Sequence, residues 1–318
     1  MPPRRVIGVD AGGTKLLGGV VDEELVVYHR VRRTWRGGDR QQTLDIMVEA
    51  VEEVRAVAAD VEAVGFGVPA LVEWRTGVSL WSNHLPIDGV PFRDLMSERL
   101  GLPVYVDNDT NVALVAEHRS GAARGSNDAV MLTLGTGIGG GLLLGGKIYR
   151  GAQGGGAELG HIVVDADGPE CPGACPGRGC LEVMASGSAI GFAGLEEARR
   201  APRSALGRSL SAGREISGPL VTELAHDGDE AARAVLAAVG RWLGVGLVTI
   251  VNVFNPEVVV VGGGAVAAGE LLLEPARRVM AERALPPSRA RARVVPAHFG
   301  DEAGMIGAAV LALEEGGS

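Results

Sequence analysis

The sequence predicts an α/β protein built from two related lobes. Its 318 residues, 46% of them hydrophobic, are enough for two packed cores. At residues 6–22 an apolar run enters a glycine-rich turn and a second apolar run leaves it, and residues 130–146 repeat this arrangement. Because the backbone amides of such turns can face a phosphate, the repetition indicates two lobes that grip one phosphate chain.

The first glycine turn lies in VIGVDAGGTKLLGGVVD, with Asp10 at the end of a strand and Thr14 and Lys15 in the turn. It is not a Walker A loop, because the GxxxxGK[ST] spacing is missing and an apolar strand follows where a helix should begin. A structural hairpin with an incidental acid is the alternative. Helical spacing then predicts a helix over residues 42–60, followed by a buried strand that ends at Pro69.

The middle of the chain offers two groups of polar residues. Asn83 and His84 lie in a polar loop after a strand, where a role in a turn is favoured over contact with a substrate. Further on, a short strand runs into NDTN at residues 108–111, and a helix follows. An Asp before a helix is most often an N-cap, yet these four residues supply more hydrogen-bonding groups than one cap needs. Asp109 is therefore a candidate base for a substrate hydroxyl, with the helix cap as the alternative.

The second glycine turn, LGTGIGGG, satisfies the GxGxxG pattern through Gly135, Gly137 and Gly140. A dinucleotide site needs a helix after this turn, and the five glycines that follow in residues 139–146 would each cost a helix about 1 kcal/mol. A hairpin is therefore expected. It either cradles a phosphate or is a tight turn without a ligand.

An acid, a histidine and all three cysteines follow within thirty residues. Glu158 and His161 are three residues apart, and Glu182 comes two residues after the last cysteine. The cysteines are Cys171, Cys175 and Cys180. In a cytoplasmic chain such a cluster indicates a metal and not a disulfide framework, with His161 as a fourth ligand. A free histidine beside three unligated thiols is the alternative.

The rest of the chain is expected to build the second lobe. Residues 188–224 indicate helices broken by loops, and residues 229–250 a long helix. A buried strand, a triple-glycine turn at residues 262–264 and a helix follow, then a last strand and a closing helix over residues 304–313. The triple-glycine turn is expected either to hold the adenosine of a nucleotide at the helix N-terminus or to allow tight packing.

Charge and hydropathy restrict the partners. A formal net charge of −9 without a basic stripe argues against nucleic acid. The longest apolar region, residues 243–254, is too short for a membrane span, and the apolar run near the N-terminus is too short for a signal peptide. A soluble cytoplasmic protein that acts on small molecules is expected.

The motifs DAGGTK, NDTN, LGTGIGGG and ELGH, with the cysteine cluster ending in CLE, resemble the ROK (repressor, open reading frame, kinase) sugar kinases. Their order and spacing agree along essentially the whole chain. Within that family, NDTN and the ASG at residues 185–187 are most similar to the bacterial glucokinases. The resemblance implies an actin-like ATPase (ribonuclease-H-like) fold of two α/β lobes with a central cleft. The smaller lobe would be residues 1–112 with a C-terminal helix at 303–318, and the larger lobe residues 113–302 with a zinc-binding loop.

The resemblance also implies an ATP- and Mg²⁺-dependent phosphorylation of the 6-hydroxyl of glucose, a reaction of glycolysis. Asp109 would be the catalytic base, and Asp10 would hold Mg²⁺ through water. The implied sugar ligands are Asn108, Asp109, Glu158, His161 and Glu182. The residues implied at the phosphates and nucleotide are Asp10, Gly12, Gly13, Thr14, Lys15, Gly135, Thr136, Gly137, Gly263 and Gly264. The implied Zn²⁺ ligands are His161, Cys171, Cys175 and Cys180, and loss of the metal is expected to weaken sugar binding while largely sparing ATP.

One departure and several alternatives accompany the resemblance. The family usually has one residue between the first two cysteines, whereas three separate Cys171 from Cys175, which makes Cys171 the least certain ligand. A kinase for fructose, mannose or an N-acetylhexosamine is the main alternative, and the sequence does not decide whether polyphosphate replaces ATP. A sugar-responsive repressor is disfavoured because Asp10 arrives after nine residues, and a non-catalytic sensor because Asp109 is present. The family suggests a homodimer or homotetramer.

Overall fold

The computed structural model describes residues 3–13, 15–35, 38–58 and 60–316. The chain divides into two compact units. The first consists of Met1–Ser126, Gly141–Ala157 and Ala297–Ser318, and the second of Asn127–Gly140 and Glu158–Pro296. Residue 112, where the smaller lobe is expected to end, lies inside a continuous helix that runs from Asp109 to Ser120.

The first part of the chain alternates strands and helices. In order they are β1 (Arg5–Ala11), β2 (Lys15–Asp22), β3 (Val27–Thr34), α1 (Arg40–Arg55), β4 (Val61–Val68), β5 (Leu71–Glu73), β6 (Val78–Trp81), α2 (Phe92–Leu100), β7 (Val104–Asn108) and α3 (Asp109–Ser120). The predicted strand–turn–strand at residues 6–22 is confirmed by β1 and β2, which pair antiparallel. Helix α1 ends earlier than predicted, at Arg55, because the chain has to turn back before Val61, which pairs with Arg5.

The first sheet brings several predicted site residues to one edge. Its strand order is β3-β2-β1-β4-β7, and β1, β4 and β7 run parallel. Asp10 lies opposite Gly67, and Asn108 lies opposite Val68. Because the carboxyl ends of parallel strands meet at the same edge, Asp10 and Asn108 both lie where a ligand commonly binds an α/β sheet.

The remaining elements follow from residue 129 onward. In order they are β8 (Ala129–Leu134), β9 (Ile138–Leu144), β10 (Lys147–Ile148), α4 (Leu181–Ala185), α5 (Gly187–Arg200), α6 (Ala205–Ser211), α7 (Gly218–His226), α8 (Glu230–Phe254), β11 (Val258–Gly262), α9 (Glu270–Arg283), α10 (Pro286–Arg289), β12 (Arg293–Pro296) and α11 (Ala303–Glu315). Short 3₁₀ turns lie at Leu159–His161, Gly264–Ala268 and Gly300–Glu302. Strand β9 confirms that the second glycine turn leads into a strand and not into a helix.

The second sheet has the strand order β10-β9-β8-β11-β12, and β8, β11 and β12 run parallel. Gly262 lies opposite Thr133, so the second and third glycine turns leave neighbouring strands at the same edge. The helix expected directly after the triple glycine does not begin there. A 3₁₀ turn intervenes, and α9 begins only at Glu270, because the backbone reverses at Gly269 with φ 58°.

Glycines allow two helices to pack closely on their neighbours. The closing helix α11 lies directly on β1 and β4, where a Cβ at Gly8 or Gly65 would overlap carbonyl oxygens of that helix. Helix α8 packs on α9 through Gly244, where a Cβ would lie 2.7 Å from the Ala276 carbonyl oxygen. Among the described helices, α8 is the one long and apolar enough to cross a membrane, yet 56% of its most apolar window is buried inside the protein. It therefore serves as a core helix of the second unit.

Candidate active site

The first glycine turn is held from two sides. The indole Nε1 of Trp35 donates a hydrogen bond to the Gly12 carbonyl at 2.9 Å. A Cβ at Gly13 would lie 3.0 Å from the Cβ of His84, so the turn packs against the polar loop after β6. Lys15 begins β2 and is exposed, whereas Thr14 lies outside the described residues. The contact with Gly13 also gives His84 a definite place beside the predicted site.

Two acids come close together at the edge of the first sheet. Asp10 is the next-to-last residue of β1, and the Gly67 opposite it packs on Asp109, whose Cα would lie 3.4 Å from a Cβ at Gly67. Burial, and then the charges of Asp109 and Asp301, raise the pKa of Asp10 to about 7. Burial also raises the pKa of Asp109 above its ordinary value, although the Thr110 amide and the charge of His84 lower it. Such a group of acids favours a cation or a proton.

Asp301 is a member of this group that the sequence analysis missed. It lies in the 3₁₀ turn at Gly300–Glu302, directly before α11. The available signal was the pair of acids ahead of the closing helix, which is indistinguishable in sequence from ordinary acids at a helix start.

The NDTN segment divides its roles in an unexpected way. Asn108 is the N-cap of α3, since its Oδ1 accepts the amides of Thr110 at 2.9 Å and Asn111 at 3.2 Å. Asp109 is already the first residue of the helix, and its Oδ1 accepts the Thr110 amide at 2.8 Å. The N-cap alternative for Asp109 is therefore wrong, because α3 begins one residue earlier than a cap at Asp109 would require and Asn108 is the cap. As a result, the Asp109 carboxylate lies at the positive end of the α3 dipole.

A buried ion pair supports this segment from behind. The Nε of Arg150 donates to Asp107 Oδ2 at 2.6 Å, and only 3% of the Asp107 side chain is exposed. The other oxygen of Asp107 accepts the Asn108 amide at 2.7 Å and the Asn111 side-chain amide at 3.0 Å. Neither Asp107 nor Arg150 was predicted as a site residue, because 43 residues separate them in the chain.

In the second unit, the turn between β8 and β9 exposes backbone amides. The Gly135 amide donates to the Gly137 carbonyl at 2.9 Å, which closes the turn. Gly135 and Thr136 are exposed, and within the described part of the chain the amides of Thr136 and Gly137 have no partner. The turn thus presents two donors that suit a phosphate oxygen.

The triple-glycine turn lies beside it. Gly263 has φ 82°, and a Cβ there would lie 2.6 Å from the Leu134 carbonyl, so only glycine fits next to the end of β8. A Cβ at Gly264, in contrast, would meet no atom within 4 Å. Tight packing therefore explains Gly263, whereas the open space at Gly264 agrees with room for a ligand.

The structure brings the four predicted metal ligands together. The ligand atoms of His161, Cys171, Cys175 and Cys180 all lie within 4.8 Å of one another. His161 Nδ1 is 3.6 Å from the sulfur of Cys171, so the longer spacing before Cys175 does not remove Cys171 from the cluster. Burial raises the pKa of the Cys171 thiol, as do Cys180 and Cys175, and burial also raises the pKa of Cys180. Three thiols and one imidazole are the ligand set of a structural zinc site, and a bound cation would deprotonate the thiols.

His161 faces two groups at once. Its Nδ1 points to the cluster, while its Nε2 lies 4.0 Å from Glu158 Oε2. Glu158 directly precedes the 3₁₀ turn that contains His161. A metal on Nδ1 would fix the ring and so direct Nε2 toward the side of Glu158.

The fold and these sites define the class of the protein. The sequence model that defines the ROK family matches residues 6–315, and the chain belongs to that family. The predicted family and the actin-like ATPase fold are thereby confirmed.

The relatives are close over their whole lengths. The chain is 35% identical to a glucokinase of Streptomyces coelicolor, covering 97% of each chain, and 35% identical to a glucokinase of Thermotoga maritima, covering 99% of each. Among solved structures it is similar to a ROK family glucokinase from Streptomyces griseus in complex with glucose and AMPPNP. That likeness has a TM-score of 0.88 and 36% identity, and covers 98% of this chain and 99% of the other.

Proposed function

We propose that this protein is a glucokinase that transfers a phosphoryl group from ATP to the 6-hydroxyl of glucose. The observation that carries the proposal is its similarity, at 35–36% identity and nearly full length on both sides, to proteins named as glucokinases. The sequence motifs and the two glycine turns support the same activity.

Asp109 is the proposed base. Burial raises the pKa of its carboxyl above the ordinary value, which makes it a stronger proton acceptor than an exposed aspartate. It would take the proton of the 6-hydroxyl while that oxygen attacks the terminal phosphorus of ATP, the bond from this phosphorus to the bridging oxygen breaks, and ADP leaves. Phosphoryl transfer depends mostly on positioning and on neutralised charge, so a well-held base is sufficient. Because the base must be ionised, activity should fall as pH decreases through the raised pKa of Asp109.

The proposed phosphate and nucleotide contacts are those implied by the family. They are Gly12, Gly13, Thr14, Lys15, Gly135, Thr136, Gly137, Gly263 and Gly264. Two observations support the contacts in the second unit: the amides of Thr136 and Gly137 have no partner among the described residues, and the space at Gly264 is open. Asp10 suits Mg²⁺, because its carboxyl has a pKa of about 7 in the absence of a cation and offers a hard oxygen ligand. When bound, Mg²⁺ would neutralise charge on the phosphates.

The proposed sugar ligands are Asn108, Asp109, Glu158, His161 and Glu182. Asn108 uses its oxygen as the helix cap, which leaves its Nδ2, now 3.4 Å from the Ala70 carbonyl, as the group for a hydroxyl. His161, Cys171, Cys175 and Cys180 would hold Zn²⁺, which would stabilise the loop and fix the His161 ring.

Activity can be tested by coupled ADP release with Mg²⁺ and a panel of glucose, fructose, mannose and two N-acetylhexosamines. Glucose should give the highest kcat/KM, and Asp109→Asn is the matched inactive control. Polyphosphate is tested in place of ATP in the same panel. No ADP release with any hexose would contradict the kinase, whereas faster turnover of another hexose would contradict only the choice of glucose.

We also propose a cytoplasmic homodimer or homotetramer, as the family suggests. Light scattering coupled to gel filtration measures the mass directly. A mass of one chain, 32.8 kDa, at micromolar concentration would contradict this proposal.

A further inference from the structure

The carboxylate of Glu182 contacts the phosphate turn, by which we mean residues 135–137. Glu182 lies in the first turn of α4, and its Oε2 accepts the amide of Ile138, the residue that follows the phosphate turn, at 2.9 Å. A Cβ at Gly137 would overlap the same oxygen. Gly137 is therefore a glycine because the carboxylate occupies the space where a side chain would begin.

The same short segment holds the other end of the phosphate turn. The amide of Gly187 donates to the Gly135 carbonyl at 2.8 Å. A Cβ at Gly187 would lie only 2.7 Å from that carbonyl oxygen. Residues 182–187 thus hold the phosphate turn at both ends, and the amides of Thr136 and Gly137 between them have no partner in the part of the chain that the structure describes.

Glu182 also touches the cysteine cluster. Its second oxygen, Oε1, is 4.0 Å from the sulfur of Cys171. Cys180, a predicted metal ligand, is the N-cap of the helix in which Glu182 lies. One side chain therefore links the cluster to the phosphate turn within the second unit.

We propose that Glu182 is a positioning residue for the phosphate turn, through which the cysteine cluster supports nucleotide binding. This rests on the proposed function, in which the turn binds the phosphates of ATP. An acceptor that fixes the turn beforehand removes the cost of ordering it when the nucleotide binds. The sequence had suggested that loss of the metal would largely spare ATP binding, whereas these contacts lead to the opposite expectation.

The test measures the dissociation constant of AMPPNP with Mg²⁺ by calorimetry, in the absence of sugar. Glu182→Ala removes the acceptor and should weaken binding about tenfold, the equivalent of one charge-assisted hydrogen bond. Glu182→Gln keeps a carbonyl that can accept the Ile138 amide, and it should stay within about threefold of the wild type. Glu182→Asp keeps the charge but is one methylene too short, so it should behave like Glu182→Ala.

Glu196→Ala is the matched control, since Glu196 is an exposed carboxylate on α5 that pairs with Arg199. It should leave the AMPPNP constant unchanged. Zinc is removed with a chelator, which is dialysed away before Mg²⁺ and AMPPNP are added. Loss of zinc should weaken AMPPNP binding in the wild type but add little in Glu182→Ala, because both changes act through the same contact. Zinc content and thermal midpoint are measured for every variant, and if Glu182→Ala fails to fold, the pair of Glu182→Asp and Glu182→Gln decides.

Hydrogen exchange of the peptide that covers residues 134–140 gives a readout independent of binding. Protection of this peptide should fall in Glu182→Ala and persist in Glu182→Gln. Wild-type AMPPNP affinity and wild-type protection in Glu182→Ala would overturn the inference and leave the kinase intact. A wild-type protein that does not bind AMPPNP would instead overturn the proposed function, and hydrogen exchange alone would then decide whether Glu182 holds the turn.

Discussion

Replacing Arg150 by Met should expose how strongly the buried ion pair supports the base. Arg150→Met keeps much of the aliphatic volume but removes the guanidinium that donates to Asp107 at 2.6 Å. The Asp107 carboxylate then stays buried without its cation, directly behind Asn108 and two residues before Asp109. Both stability and turnover should therefore decrease.

The expected loss of stability follows from the contacts that disappear and those that remain. Breaking a buried ion pair by removing one partner costs about 3–5 kcal/mol. Asp107 retains the Asn108 amide and the Asn111 side-chain amide as donors, which favours the lower end. The guanidinium also lies 5.6 Å from the ring centre of Trp74, and loss of this cation–π contact adds about 0.5–1 kcal/mol. We expect a total of about 3–4 kcal/mol.

Urea unfolding of four proteins measures the effect: the wild type, Arg150→Met, Asp107→Asn and the double variant. The double variant should recover about 2 kcal/mol relative to the sum of the single changes, because no charge is left buried and unpaired. Turnover of glucose should fall in Arg150→Met and partly return in the double variant. A cost below about 1 kcal/mol for Arg150→Met, or additive single changes, would refute the reasoning.

Three further outcomes are expected. The pKa of Asp10 rises on folding from 3.8 to about 7, so ionised Asp10 destabilises the metal-free protein increasingly as pH rises through this window. Part of the Asp10 side chain is still accessible, which reduces the effect. Asp10→Asn should therefore raise the free energy of unfolding by about 1–2 kcal/mol at pH 8 and much less at pH 4.5. Added Mg²⁺ should then stabilise the wild type but not the variant, and equal responses would contradict this. Asp109→Asn should lower kcat by about 10²- to 10⁴-fold with little change in thermal midpoint, because Asn108 remains the cap; near-normal kcat would reduce Asp109 to a structural residue. Elemental analysis should find about one zinc per chain, Cys180→Ala should lose both the zinc and glucose affinity, and full activity without zinc would exclude the metal site.

The sequence predicted those parts of the fold that local patterns determine. Apolar runs around a glycine turn specify a hairpin wherever a helix would have to accept several glycines, and β1–β2 and β8–β9 both follow this rule. The cluster of four side chains that could hold a metal ion was also predictable, since its members lie within twenty residues. In each case the informative residues are close in the chain.

The residues that the sequence analysis missed act across long separations. Glu117 is fully buried and accepts the amides of Ala122 at 2.7 Å and Phe299 at 3.0 Å. It thereby ties α3 to the segment before Asp301, 182 residues away from Phe299 in sequence. No periodicity or motif marks such a contact, because an isolated Glu near the end of an amphipathic helix is normally solvated. The cap at Asn108 was missed for another reason, namely that Asn, Asp and Thr all cap well and only the end of β7 selects one of them.

The close approach of two carboxylates at the edge of the first sheet depends on one small residue. Gly67 lies opposite Asp10, and a Cβ there would lie 2.5 Å from Val112 Cγ2, so any larger residue would push α3 away from the sheet. Burial is the main cause of the raised pKa of Asp10, and without a side chain at position 67 the first residue of α3, Asp109, approaches close enough for its charge to add to that shift. Two carboxylates so placed repel each other unless a cation or a proton lies between or beside them. The glycine therefore lets the proposed base and the proposed Mg²⁺ ligand come together at one edge of the sheet, as phosphoryl transfer would require.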